Sequence, residues 1–141
     1  MPRKFRLDKL EVPELEELAP KTRRKVMRPA ARVVALRARE IAPDSGRSHK
    51  RKLNKSIRYQ TQRAGLEGVV AAKAPHAHLV HNGTKPHDIA IPRENPHTIA
   101  HHPGAKAQPF LIDAAEQTRD EVERVLRDGA RAAAEEIAAG V

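Results

Sequence analysis

The sequence contains no cysteine and no tryptophan, and its only aromatic residues besides histidine are Phe5, Tyr59 and Phe110. Without cysteine the chain has no disulfide framework, no thiol nucleophile and no Cys-ligated zinc or iron–sulfur site. Three aromatic side chains are also too few for a platform on which the bases of a single nucleic-acid strand stack in succession. The composition therefore excludes thiol enzymes, disulfide scaffolds and aromatic single-strand-binding modules.

Long apolar runs are missing as well. No run approaches the roughly 20 residues that span a bilayer, and no apolar stretch of a secretory signal follows the first five residues. We therefore expect no membrane partner and no export. A length of 141 residues fits one domain, 1–141. Its 23 alanines predict a thin core, and therefore either a modestly stable monomer or a chain that completes its core against neighbouring molecules.

Positive charge is concentrated in the first part of the chain. Residues 1–63 contain 19 Lys and Arg against 7 Asp and Glu, whereas residues 64–141 contain 8 against 11, which together give the net charge of +9. Such a division favours binding to a polyanion or head-to-tail stacking of copies. The densest basic segment predicts either a solvated loop or a contact with DNA or an acidic partner through Arg47, Lys50, Arg51, Lys52 and Lys55.

The hydrophobic pattern in the first two thirds of the chain predicts short strands and one long helix. A stop signal of proline and turn residues follows the long helix at 42–46. The expected elements are a strand within 4–12, a helical turn over 13–18, a helix over 22–41 that is kinked or restarted at Pro29, a hairpin of strands over 57–63 and 68–73, and a short turn or helix over 75–84.

The last third predicts an extended arm and a long helix. Residues 84–104, called the arm below, contain four prolines around the alternating pair Ile89 and Ile91, which is typical of one or two edge strands. A helix from about 109 to 139 has a narrow apolar stripe of small side chains. The sequence thus predicts an α+β fold, in which two long helices pack on a small, mainly antiparallel sheet beside a proline-rich β-arm.

Seven of the eight histidines lie between residues 76 and 102. A zinc site needs three or four ligands that converge at about 2 Å, and this spacing does not bring three histidines to one face of a strand or helix. His81-Asn82 with His97 or His101 also suggests an HNH-type nuclease, but the last helix has no histidine to hold its metal. With no phosphate-binding loop or nucleophile elbow either, we expect no catalytic residue, no metal, no cofactor and no enzyme activity.

Four segments occur in the order typical of a known family. They are Leu7 to Leu18, Ala42-Pro-Asp-Ser-Gly46 with Leu53-Asn-Lys-Ser-Ile57, Ala77 to Gly83-Thr84, and His102-Pro-Gly-Ala-Lys-Ala-Gln-Pro-Phe-Leu111. In this order they resemble the gene-product-10-like tail components, which are neck or tail-completion proteins of long-tailed phages. The third segment matches in part, because His76 stands where the family has tyrosine and His81 where it has glutamate. The fold-motif positions of the resemblance are Pro43, Gly46, Gly83, Thr84, Pro109 and Phe110.

The resemblance implies a virion structural protein of the head–tail junction, either a neck protein or a tail terminator, assembled in the bacterial cytoplasm. It implies a ring, expected to be a hexamer, that contacts connector, stopper and tail-tube proteins and lets genomic DNA pass without reading its sequence. Rings need two different contact surfaces on each copy. We expect the arm to supply one of them through Pro86, Ile89, Ile91, Pro92, His97, Ile99 and Pro103.

Two alternatives stay open at this point. The basic first half also suits a stand-alone nucleic-acid-binding protein, whose duplex affinity would depend strongly on salt. The histidine cluster leaves a His-dependent metalloenzyme as the least favoured hypothesis, which requires stoichiometric bound zinc.

Overall fold

The computed structural model describes residues 3–6, 13–43, 53–74, 77–91, 98–102 and 104–139, with the backbone alone at 3–6, 13–14, 78, 87–91 and 98–102. The predicted α+β fold is confirmed. The helices are α1 (Pro13–Glu16), α2 (Pro20–Ile41), α3 (Ala77–Asn82), α4 (Phe110–Gln117) and α5 (Arg119–Ala138). The strands are β1 (Arg3–Arg6), β2 (Ile57–Gln62), β3 (Glu67–Ala72), β4 (His87–Ile91) and β5 (Thr98–His102).

A three-stranded antiparallel sheet with the order β1-β3-β2 forms one layer. β3 lies in the centre and all six of its residues are buried, whereas burial alternates along the first four residues of β2. The predicted hairpin is confirmed, and its turn at 63–65 has positive φ at all three residues. A Cβ on Gly65 would lie 2.6 Å from the Arg23 Cβ, so the turn can pack this closely on α2 only because residue 65 is glycine.

The helix α2 packs against the sheet, α4 and α5, and it forms the centre of the core. It begins at Pro20, where the missing proline N–H costs nothing, and ends before Pro43. Pro29 lies inside this helix, so the prediction that the helix restarts there is wrong. Val26 and Ala30 are buried on either side of Pro29, and this burial outweighs the hydrogen bond that a proline removes.

The single helix expected over 109–139 is instead two helices that meet at Thr118. Thr118 has φ −107° and ψ 6°, and its hydroxyl donates a hydrogen bond to the Ala114 carbonyl at 2.7 Å. The Thr118 backbone N–H also donates to this carbonyl, at 3.1 Å. A threonine hydroxyl that bonds back to residue i−4 distorts a helix at that point. The apolar periodicity continues across the break, which is why the sequence predicts one helix.

The apolar interior is built largely from alanine, as the composition predicts. Nearly half of the buried apolar residues in the described ranges are alanine, and Phe110, Met27 and Leu53 are among the largest side chains there. Small side chains let α2 approach α4 and α5 closely. No helix in the described part of the chain is both long and apolar enough to cross a membrane.

Candidate assembly interface

The arm leaves the domain and returns to it at one point, which we call the root. The Thr84 backbone N–H donates to the Ala105 carbonyl at 2.9 Å, and the Ala105 N–H donates back to the Thr84 carbonyl at 3.1 Å. The Thr84 hydroxyl oxygen accepts from the same Ala105 N–H at 2.9 Å. These bonds form an isolated antiparallel bridge that joins the two ends of the arm.

Two glycines with positive φ flank this bridge. Gly83 has φ +77°, and a Cβ there would lie 2.7 Å from the Ala105 carbonyl oxygen. Gly104 has φ +83°, and a Cβ there would lie 2.5 Å from the Thr84 carbonyl oxygen. Because both the dihedral angle and the crowding exclude a side chain, glycine is required at each position. Sequence reasoning selected Gly83 and Thr84 but missed Gly104, for which the Pro103-Gly104 pair is the available turn signal.

The root is attached to the core through His81 and Phe110. The His81 side chain is 2% exposed, and its ring meets the ring of Phe110 edge-on, with centroids 5.5 Å apart. Its Nδ1 lies 3.3 Å from Asn82 Oδ1. The Gln108 N–H donates to the Val80 carbonyl at 3.0 Å, which ties the segment before α4 to α3. The third and fourth motif segments of the sequence therefore meet at the root.

Beyond the root, β4 and β5 form an antiparallel hairpin that pairs with no other described strand. No described helix or strand packs along the hairpin beyond isolated contacts. The register places Ile89 opposite Ala100, Ile99 opposite Ala90 and Ile91 opposite Thr98. Within the described residues each of the two strands thus has one edge paired and one edge unpaired, and the predicted edge strands are confirmed for 87–91 and 98–102.

The structure describes four of the seven arm residues that were predicted to form an interface. Ile89, Ile91 and Ile99 lie in the hairpin, and Pro86 is exposed just before β4. Pro92, His97 and Pro103 lie outside the described residues. The use of any of these seven residues as an interface stays a prediction.

Four of the five residues of the predicted basic contact lie outside the described residues: Arg47, Lys50, Arg51 and Lys52. The motif residue Gly46 lies outside them as well. Lys55 is described and exposed, in a short turn of 3-10 helix at Asn54–Ser56. Pro43, at the end of α2, and Pro109, before α4, occupy the helix boundaries expected of motif positions. Within the described ranges, no group of three or more His, Asp or Glu side chains is arranged to hold a metal ion.

Sequence reasoning did not select a second set of cations, which the structure brings together on one side of α2. They are Lys21, Arg24, Lys25, Arg28 and Arg32, all exposed. The available signal was the recurrence of cations three or four residues apart, with no acidic residue between them.

Comparison with known protein families gives a match. The family model described as "Bacteriophage HK97-gp10, putative tail-component" matches residues 6–83, more than half of the chain. The matched range contains the first two motif segments and the third as far as Gly83, and it ends one residue before the arm. No curated protein matches the chain, and no solved structure matches it.

Proposed function

Because the chain belongs to the HK97 gp10 family of bacteriophage tail components, we propose that it is a ring-forming protein of the phage head–tail junction. In this role the arm of each copy contacts the next copy or the adjacent ring of connector, stopper or tail-tube subunits. The proposed protein is structural and has no catalytic role. The proposed ring contains six copies and surrounds the path of the genome.

The observation that carries this proposal is that the hairpin packs along no described element of the core and is joined to it by the hydrogen-bonded root. An isolated two-stranded hairpin is marginally stable in water, because it buries little apolar surface and leaves both outer edges without partners. An open edge pairs readily with a strand of another chain. A partner that covered the arm would therefore stabilise it, and family membership supplies the class of partner, namely other phage structural proteins.

The residues at the two ends of the arm hold it so that it can contact a different surface on a neighbouring copy. The bridge at Thr84 and Ala105 and the required glycines hold the two ends of the arm together. A hairpin held in this way projects a surface of paired strands, and a ring needs one further, different surface on each copy. Contact between two unlike surfaces, repeated around an axis, closes a ring.

An arm-replacement variant tests the proposal. Residues 86–103 are replaced by Asn-Gly, so that a two-residue turn joins Lys85 to Gly104 and preserves the bridge between Thr84 and Ala105. We expect the melting temperature of the isolated chain to change little, because no described element of the core packs along the arm. We also expect the variant to lose the closed oligomer in native mass spectrometry and to form no complete tails in infected cells.

The matched control is Leu36→Ser, which changes an exposed apolar residue, 40% accessible, on the helical side of the domain. This control should assemble like the unmodified chain. If the arm-replacement variant forms the same oligomer and completes infectious particles, the arm is not the assembly interface and the proposal fails.

A further inference from the structure

The helix α2 contains eight Lys and Arg residues, and before Glu40 near its end it contains no acidic residue. Five of the cations are exposed, and each has another of the five three or four residues away: Lys21, Arg24, Lys25, Arg28 and Arg32. At 100° per residue these positions fall within an arc of about 100°, and they extend over about 16 Å of the helix axis. We call this face the α2 ridge.

The other three cations of α2 serve the fold. Arg23 donates to the carbonyls of Leu15 and Glu16, which fixes α1 against α2. Arg39 donates to the Ile57 carbonyl at the start of β2, at 2.7 and 3.2 Å. Arg37 bonds to Gln117 and Glu40, at 2.8 Å each. Structural cations and ridge cations are therefore different residues.

The charge of the α2 ridge is not neutralised within the described part of the chain. No described carboxylate lies within 4 Å of a ridge cation, and the described ion pairs are Arg37–Glu40, Arg63–Glu67 and Arg127–Glu123. One ridge residue has a described contact: the Arg28 guanidinium lies 5.5 Å from the centre of the Tyr59 ring. Five like charges on one helix face repel one another, and a polyanion would relieve that repulsion.

We infer that the α2 ridge binds the phosphate backbone of duplex DNA without reading its sequence. Duplex DNA carries one negative charge per 1.7 Å of its axis when both strands are counted, so 16 Å of ridge spans about nine phosphates, about five of them on each strand. Lysine and arginine are the side chains that make such backbone contacts, and these contacts position a protein without specifying a base. The inference depends on the charges of this helix alone, so it stands or falls separately from the arm and from ring formation.

An acidic protein is the less favoured partner for the α2 ridge. The centres of protein–protein interfaces are depleted in charged residues, with arginine as the exception, and enriched in aromatic residues and methionine, none of which lies on the ridge. The ridge has no exposed large apolar residue between Lys21 and Arg32, and Leu36 lies beyond its end. Protein–DNA interfaces are more polar and much more positive than protein–protein interfaces, which is the character of this surface.

The affinity of one copy should be modest. Non-specific sites bind with a Kd of about 10⁻⁴ to 10⁻⁶ M at physiological salt, and five contacts give a slope of log K against log salt of about −4.5. Several copies that faced one duplex would bind far more tightly, because the later contacts form at a high effective concentration. A single copy that bound tightly at physiological salt would instead fit a stand-alone DNA-binding protein.

Two charge-matched variants test the α2 ridge by fluorescence anisotropy with a 30-base-pair duplex of random sequence. Each variant removes three exposed cations and lowers the net charge by the same amount, and glutamine keeps the helix propensity. The ridge variant leaves Arg28 on Tyr59. The variants are Arg24→Gln/Lys25→Gln/Arg32→Gln on α2 and the control Arg124→Gln/Arg127→Gln/Arg131→Gln on α5.

We expect the ridge variant to lose at least tenfold in duplex affinity at about 0.1 M salt and to reduce the magnitude of the salt slope by about 2.7. The control should keep a slope close to that of the unmodified chain. Equal losses in both variants would overturn the inference, since net charge alone would then explain the binding. It would also be overturned by no binding at about 50 mM salt, or by a ridge variant that keeps its DNA affinity but loses its oligomer, which would make the ridge a protein contact.

Discussion

The helix-and-sheet core and the arm of this protein are held in their conformations by different means. In the core, α2 packs against β2, β3, α4 and α5, and the interior is closed by many small contacts among alanines, valines and leucines. In the arm, β4 and β5 pair with each other, and the described contacts that hold them to the domain are concentrated at the root.

This comparison teaches that the two regions respond to different changes. Burial stabilises the core, so the core is sensitive to the loss of side-chain volume. Backbone geometry at the root determines how the arm leaves the domain. The arm is therefore sensitive to substitution of the glycines there, whose backbone conformations other residues rarely adopt. Changes directed at one mechanism should spare the other region, and the following predictions test that separation in order of decreasing effect.

Removal of the largest fully buried side chain in the described ranges should weaken the core the most. Phe110 is 2% exposed at the start of α4, so Phe110→Ala should lower the free energy of unfolding by about 3–5 kcal/mol, measured by urea denaturation. The control Ile112→Ala changes an apolar residue on the same helix that is 37% exposed, and it should cost less than about 1 kcal/mol. Equal costs for the two variants would show that Phe110 does not anchor α4.

A side chain at the root should disturb the arm without opening the sheet. In Gly104→Ala, a residue with φ +83° gains a Cβ that lies 2.5 Å from the Thr84 carbonyl oxygen, which strains the backbone by about 1–3 kcal/mol. We expect faster amide hydrogen exchange at Thr84 and Ala105, with unchanged exchange in β3.

A glycine in α5 provides the matched control for the root. A Cβ on Gly129 would meet the Val26 Cγ1 at 3.1 Å, a side chain that can move, and alanine adds about 1 kcal/mol of helix propensity. Gly129→Ala should therefore leave exchange at Thr84 and Ala105 unchanged. If Gly104→Ala and Gly129→Ala accelerate exchange in the same places, the root and the core are one cooperative unit.

The smallest effect is expected at the break between α4 and α5. Thr118→Val removes the hydroxyl that donates to the Ala114 carbonyl at 2.7 Å, while this carbonyl still accepts from the Thr118 N–H. We expect a loss of about 0.5–1.5 kcal/mol in thermal unfolding, and Thr118→Ser, which keeps the hydroxyl, should lose less than the valine variant. A larger loss for serine than for valine would show that the buried methyl group, and not the hydrogen bond, stabilises the junction.

Elements whose signal is local were predictable. The alternation of Ile57 and Tyr59 with polar residues located β2, and the prolines at both ends of the arm indicated edge strands there. The helix predicted over 22–41 also formed, because the apolar residues in that range recur at helical spacing. The break at Thr118 was not predictable in this way, because threonine is common within helices and the apolar stripe continues past it.

The root of the arm and the α2 ridge were predictable only in part, because each depends on contacts between residues that are distant in the chain. Gly83 and Thr84 stood out as a turn and a motif, but the need for glycine at residue 104 comes from the Thr84 carbonyl, twenty positions away in the chain. The sequence shows eight cations on α2, and it does not show that Arg23, Arg37 and Arg39 are engaged in hydrogen bonds to other elements. The α2 ridge is defined only once those three are set aside.

The sequence by itself determined the order and type of the elements, the absence of cysteine chemistry, the uneven charge and the family to which the chain belongs. These properties depend on periodicity, turn residues and composition, which act over a few positions at a time. The tertiary structure alone decided that Pro29 is accommodated within one helix, that α4 and α5 are separate, that His81 is buried against Phe110, and that the arm stands on a bridge between Thr84 and Ala105. Each of these depends on which distant backbone or side chain comes within a few ångströms, and packing of the whole chain sets that distance.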